Sequence, residues 1–214
     1  MYHDPDFAVL AHILPPAPVV IDVGGNIGQS IVSIKAARPQ ALISSFEPNP
    51  ALIPQLRQTA QRFEDVRVFE TGLGAARTAM TFHIPVVGGV RYLEECTMRL
   101  ESLQEPWVVE RFARRGGQPS FETFTAAVVP GDELALQPDL IKVDVEGVES
   151  EVVAGFRETI ARHAPILLVE NGDWTRLAPI IQSLGYSPWM ANERYDGLVP
   201  FSGARTNTFY LKDR

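Results

Sequence analysis

Residues 20–28 read Val-Ile-Asp-Val-Gly-Gly-Asn-Ile-Gly, and Glu47 closes the next apolar run, Ala41–Phe46. Apart from Asp22 the first run is apolar up to its glycines, as expected of a strand buried on both faces of a parallel sheet. Ile27, Ile31 and Ile34 then recur at helical spacing. Strand, glycine turn, helix, second strand and acid, in that order, restrict this part of the chain to a βαβ unit of an open α/β sheet. Such sheets bind ligands at the carboxyl ends of their strands. Gly24 and Gly28 carry no Cβ, so the backbone there can approach a ligand closely. A carboxylate at the tip of the second strand can accept both hydroxyls of a ribose. Helix packing alone would explain the glycines; it leaves Glu47 unexplained, and the combination points to a nucleoside cofactor.

The spacing narrows the cofactor. The turn is Asp22-x-Gly24-x-Asn26-x-Gly28, not the Gly-x-Gly-x-x-Gly of dinucleotide binders. An acid at Asp22 would repel a pyrophosphate and suits a ligand carrying an ammonium group. An NAD-dependent oxidoreductase would also need a catalytic Tyr–Lys pair or its equivalent, and none is evident. The cofactor side of the site is therefore read as Asp22, Gly24, Gly25, Asn26, Gly28, Glu47 and Pro48. Pro48 fixes the loop, and Asn49 is a candidate cap for the following helix.

Two further clusters fall at strand ends. In Ile141-Lys142-Val143-Asp144-Val145-Glu146-Gly147, Lys142 and Asp144 are two apart and share one side of a strand. Charged residues closing an apolar strand are costly unless paired or used. A Lys–carboxylate structural pair with helix-capping acids is the plain reading; Asp144, Lys142 and Glu146 as catalytic residues is the functional one. Leu168-Val169-Glu170-Asn171 ends the next strand. Asp144, Glu170 and Asn171 would then offer three hard oxygen ligands on adjacent strand ends, as Mg²⁺ takes. Such an ion could lower the pKa of an acceptor hydroxyl. Without it, Asp144 or Lys142 is the candidate base and His83 the outsider.

The remainder of the chain sets limits. Its 214 residues suffice for one α/β domain. A net charge of −7 argues against a nucleic-acid partner. The Arg111, Arg114 and Arg115 cluster reads as a solvated helix face. Cys96 is the sole cysteine, which suits a reducing cytoplasm and reads as an incidental thiol. The N-terminus lacks a basic leader and no apolar run has bilayer length, so a cytoplasmic protein with no membrane partner is expected. Strand–helix alternation stops after Val66–Phe69 and resumes at Asp139. The intervening stretch, about residues 74–132, reads as a small β-rich insertion or lid within a single domain spanning 1–214, without apolar residues for a core of its own. Trp107, Phe112 and Phe121 in it could dock on substrate or on a second copy of the chain in a homodimer.

At these residues the chain resembles the FkbM family of S-adenosylmethionine-dependent methyltransferases. The resemblance rests on Ile21–Gly28, on Phe46-Glu47-Pro48-Asn49-Pro50, on Asp139–Glu149, on Ile166–Glu170, and on Asn207 before Phe209. It implies a class I methyltransferase, Rossmann-like sheet of seven strands, mostly parallel with one reversed, and helices on both faces. It implies methyl transfer to a hydroxyl oxygen of a small molecule such as a natural product or sugar. Gly24, Asn26 and Gly28 would line the methionine part of the cofactor, Glu47 the ribose, and Asp144 and Glu146 the methyl group and acceptor. Residues 88–120 match no family pattern. A non-catalytic cofactor-binding scaffold of the same fold is the alternative.

Overall fold

The computed structural model describes residues 2–104, 106–145, 147–170, 174–202 and 207–213. A 3-10 turn, Pro5–Val9, leads into a short helix α1 (Leu10–Ile13). The first β-α-β-α-β run is β1 (Val19–Val23), α2 (Gln29–Ala37), β2 (Leu42–Phe46), α3 (Ile53–Ala60) and β3 (Val66–Phe69). There follow β4 (Gly72–Gly74), β5 (Thr78–Val87), β6 (Val90–Arg91), α4 (Pro106–Arg114) and β7 (Ser120–Pro130). The second half is β8 (Leu140–Val143), α5 (Glu149–Gly155), α6 (Arg157–His163), β9 (Ile166–Glu170), α7 (Trp174–Ser183), β10 (Tyr186–Ala191), β11 (Leu198–Pro200) and β12 (Asn207–Lys212).

The main sheet runs β11-β10-β12-β9-β8-β1-β2-β3. β3, β2, β1, β8 and β9 are parallel, β12 is antiparallel to both β9 and β10, and β11 folds back on β10. The seven expected strands are present with β12 reversed, and β11 adds an eighth at the edge. Alternation along the strands divides the core in two. Val20, Ile43, Leu140 and Leu168 face α2, α3 and the N-terminal segment, whereas Ile21, Val143, Leu167 and Val169 face α5, α6 and α7. The sheet is thus covered on both sides, as its nearly unbroken apolar strands require.

The chain after Gly147 forms two helices, α5 and α6. Gly155 ends α5 against β4: a Cβ there would lie 2.0 Å from the Gly74 carbonyl oxygen. Phe156, fully buried, then turns the chain into α6.

The insertion folds as a second sheet, β4-β7-β5-β6, in which β5 and β7 pair antiparallel over nine residues. The expectation that it lacks a core of its own is corrected. Val87, Leu103, Val108 and Phe112 are buried together, with Tyr92 and Leu100 against them. Glu95 lies beneath this cluster and binds Arg111 at 2.9 Å and Arg115, so two arginines expected on a solvated face instead clasp one carboxylate. Among the described residues no helix is long and apolar enough to cross a membrane.

The N-terminal segment belongs to the fold. Phe7, Val9 and Leu10 are at most 1% exposed and pack in the core that β1 and α2 share. Removing a buried phenyl loses its transfer energy and leaves a cavity. Phe7→Ala is expected to cost about 3–5 kcal/mol in a urea unfolding experiment; a loss below about 1 kcal/mol would mean the segment is a detachable arm.

Candidate active site

The turn after β1 is built by three residues at positive φ: Gly24 at 78°, Asn26 at 48° and Gly28 at 95°. Gly24 also passes so near the strand beside it that a Cβ would fall 1.8 Å from the Asp144 carbonyl oxygen. The crowding explains the glycine more firmly than the dihedral does. The turn brings Gly24 and Asn26 to a cavity at the carboxyl end of the sheet, which Glu47 and Pro48 from the end of β2 also line.

Glu47 is 6% exposed, and both of its oxygens are held by backbone donors: Oε2 accepts from Asn26 N–H at 2.9 Å and Oε1 from Asn49 N–H at 2.8 Å. Burial pushes its pKa up, while these two N–H groups and the more distant Lys142 charge oppose the shift. Each oxygen keeps a further lone pair for a ligand hydroxyl. Asn49 accepts from Ala51 N–H through Oδ1 at 3.0 Å, closing a local turn three residues before the helix it was expected to cap. Its Nδ2 donates to the Leu93 carbonyl at 3.4 Å, linking this loop to the insertion. Asn26 Oδ1 is buried in the cavity wall with no hydrogen-bond partner among the described residues.

Asp22 lies beneath the cavity and does not line it. It is fully buried and faces Ser45 of β2 and Lys142 of β8 in register. Oδ2 accepts from Ser45 Oγ at 2.7 Å and from Ser30 Oγ at 2.9 Å, while Oδ1 is 3.3 Å from Lys142 Nζ. Its expected role as a direct partner of a ligand ammonium is therefore displaced by a lysine of the chain itself. Gly25 and Gly28 likewise shape the turn from behind: a Cβ at Gly25 would strike Ser45 Oγ at 2.2 Å.

Lys142 Nζ donates to the Gly24 carbonyl at 2.8 Å and lies 3.5 Å from Asp144 Oδ2. Desolvation alone would lower its pKa; the charges of Asp22 and Asp144 outweigh that and raise it. It is a fixed cation, which removes it as a candidate base. For Asp144, desolvation raises the pKa, but the Lys142 charge and a hydrogen bond from Glu170 prevail and hold it below the usual carboxylate range. Asp144 and Glu170 both line the cavity. Of the expected oxygen triad, these two come together; Asn171 lies outside the described residues, as does Glu146. Among the described residues no group of three or more His, Cys, Asp or Glu could hold a metal ion.

Sequence reading missed the apolar wall. Leu52, Leu73, Phe82, Leu93, Met98 and Val148 line the cavity, several of them from the insertion, where no motif marks them. Phe82 points inward, so its neighbour His83 occupies the other face of β5. Its backbone pairs with Thr97 and its ring meets Phe121 edge-on at 6.4 Å. Ser45 could have been found, as a polar break in the β2 run.

A family model described as a methyltransferase FkbM domain matches residues 22–188. Methyltransferase 1 of Beauveria bassiana is 26% identical over 196 residues, covering 87% of this chain and 78% of that protein. The 2-O-methyltransferase NoeI of Sinorhizobium fredii is 26% identical over 147 residues, covering 69% and 60%. A crystal structure of methyltransferase FkbM from Methylobacillus flagellatus superposes with a TM-score of 0.63 at 17% identity over 98% of this chain. The chain spans about half (49%) of that structure's length.

The Lys142 network has a defined pH signature. A raised lysine pKa gives stability that is complete at neutral pH and is lost as pH rises through the folded value. A lowered Asp144 pKa gives stability that is lost as pH falls through the folded value. The network's contribution should thus be flat between about pH 5 and pH 9. Lys142→Met leaves Asp22 buried without its cation and is expected to cost about 3–5 kcal/mol at pH 7, measured by urea midpoint and slope. A loss under about 1 kcal/mol would show that the ion pair does not hold the strand tips.

Proposed function

The chain belongs to the FkbM methyltransferase family, and on that premise we propose that it methylates a hydroxyl oxygen of a small molecule, using S-adenosylmethionine. The observation that carries this reading is Glu47, buried at a strand tip with both oxygens fixed by backbone N–H groups and facing the cavity. That geometry suits paired ribose hydroxyls. The orphaned Asn26 Oδ1 in the cavity wall suits an ammonium donor of the methionine part. The apolar residues Leu52 and Leu73 suit an adenine ring.

When bound, S-adenosylmethionine supplies a methyl group on a cationic sulfonium. Of the Asp, Glu, Lys, Arg and His residues described, those that line the cavity are Glu47, Glu94, Asp144 and Glu170, all acids. Such walls favour a cation and disfavour an anionic acceptor, so an uncharged polyhydroxylated molecule fits better than a carboxylate or phosphate ester. The name of the NoeI relative, a 2-O-methyltransferase, is in keeping with oxygen as the target. In this reading Asp144 and Glu170 bind and orient the acceptor hydroxyl. The apolar side chains of Phe82, Leu93 and Met98 exclude water from it.

Magnesium fits this site poorly. Asp144 and Glu170 provide two hard oxygen donors, but the Lys142 ammonium 3.5 Å from Asp144 opposes a divalent cation there. No step is assigned to it.

Calorimetric titration with S-adenosylhomocysteine is expected to show micromolar binding that Glu47→Ala weakens about 10- to 100-fold, the cost of losing hydrogen bonds to a charged group. Added Mg²⁺ should leave the affinity unchanged; a clear gain would restore the metal triad. Absence of heat with the wild-type chain, together with a thermal shift on adding NAD, would overturn the methyltransferase reading.

A further inference from the structure

From Glu94 to Met98 the insertion runs along the cavity and alternates like a strand. Glu94, Cys96 and Met98 line the cavity, whereas Glu95 and Thr97 do not line it and are buried. The buried side is fixed to the insertion. His83 and Thr97 exchange both backbone hydrogen bonds, at 2.8 and 3.1 Å, in an antiparallel bridge. Glu95 is clasped by Arg111 and Arg115. The two ends are fixed to the main sheet. The Leu93 carbonyl accepts from Asn49 Nδ2 at 3.4 Å, in the loop after Glu47. Arg99 Nη1 donates to the Gly147 carbonyl at 3.1 Å, in the loop after Asp144. Residues 93–98 therefore form a strap from the Glu47 side of the cavity to the Asp144 side, with Met98 at the Asp144 end.

We propose that Met98 is a specificity-determining residue for the acceptor, and that the acceptor carries an apolar group, alkyl or aryl, beside the hydroxyl that is methylated. The proposal rests on the methyltransferase reading above. An antiparallel bridge puts the neighbours of its two residues side by side on the other face, so Met98 lies next to Phe82, and both line the cavity. Val145 and Val148, from the stretch that Arg99 grips, line it as well. The described carboxylates at this end are Asp144 and Glu170, which hold the reacting hydroxyl.

A sugar ring with a hydroxyl on every carbon would press some of them against Met98 and Phe82, where they lose water and gain no partner. An alkyl or aryl group in that place gives up no hydrogen bond and removes apolar surface on both sides from water. Methionine suits such a wall, because its unbranched thioether adapts to a chain or a ring and makes favourable contact with aromatic edges. Leu93 and Glu94 lie at the Glu47 end of the strap, which assigns them to the cofactor and not to the acceptor. The strap is held from both sides by the chain itself, so the wall is formed before a ligand arrives.

Phenyl β-D-glucopyranoside and methyl β-D-glucopyranoside present the same hydroxyls and differ in one apolar group. Calorimetry on the chain loaded with S-adenosylhomocysteine is expected to give the phenyl glycoside an affinity at least about 10-fold above that of the methyl glycoside. Met98→Gln, close in size but polar, is expected to reduce this ratio to about 2-fold or less and to leave the S-adenosylhomocysteine affinity unchanged. Met98→Leu keeps the apolar surface and should keep the ratio, which separates a lost contact from a damaged strap. Equal affinities in the wild type, binding of neither glycoside, or a ratio that survives in Met98→Gln would overturn the proposal. So would a loss of S-adenosylhomocysteine affinity in both variants, which would place Met98 against the cofactor. If the wild type itself binds no S-adenosylhomocysteine, the methyltransferase reading fails, and the same ratio on the unloaded chain decides the role of Met98.

Discussion

A single ammonium group, Lys142 Nζ, ties together the two strands that the site depends on. β1 and β8 end side by side, and their last residues would leave two acids and a carbonyl crowded at one edge. Lys142 reaches all of them: Asp22 within its own layer, Asp144 one pleat above, and the Gly24 carbonyl at the start of the turn. A buried charge network of this kind is weak evidence for net stability, since desolvation offsets much of the attraction. What it supplies is position. Gly24 can turn only with its carbonyl on Lys142, and the turn in turn presents Asn26 N–H to Glu47. The Glu47 edge of the cavity is therefore set by a lysine that does not line it.

The sequence made the sheet legible because its strands are short apolar runs closed by charged or glycine residues, a pattern that survives without tertiary information. Glu47, Gly24 and Asn26 were legible for the same reason: each sits at an element boundary where chemistry and geometry coincide. Asp22 was misjudged on the same evidence. Its position in the motif is the same whether its carboxylate meets a ligand or a lysine, and only the in-register pairing with Ser45 and Lys142 decides between them. The break between α5 and α6 depends on the approach of Gly74, far away in sequence.

The insertion was the least legible part, for a physical reason. Its core of Val87, Leu103, Val108 and Phe112 is assembled from a strand, a 3-10 turn and a helix, so no single periodicity announces it.

The two halves of the cavity are held by different means, and this bears on what each can recognise. The half lined by Gly24, Asn26 and Glu47 is built from strand tips locked into the main sheet. The other half is carried largely by the second sheet, whose outer part has a core of its own while Leu73 and Val129 pack into the main one. Asn49 Nδ2 reaches the Leu93 carbonyl at 3.4 Å, and Arg99 donates to the Gly147 carbonyl at 3.1 Å. Side chains such as Leu93 and Met98 can therefore be exchanged with local repacking only, leaving Glu47 and the Lys142 network undisturbed. A cavity divided in this way lets the wall at Leu93 and Met98 vary while the wall at Glu47 stays fixed.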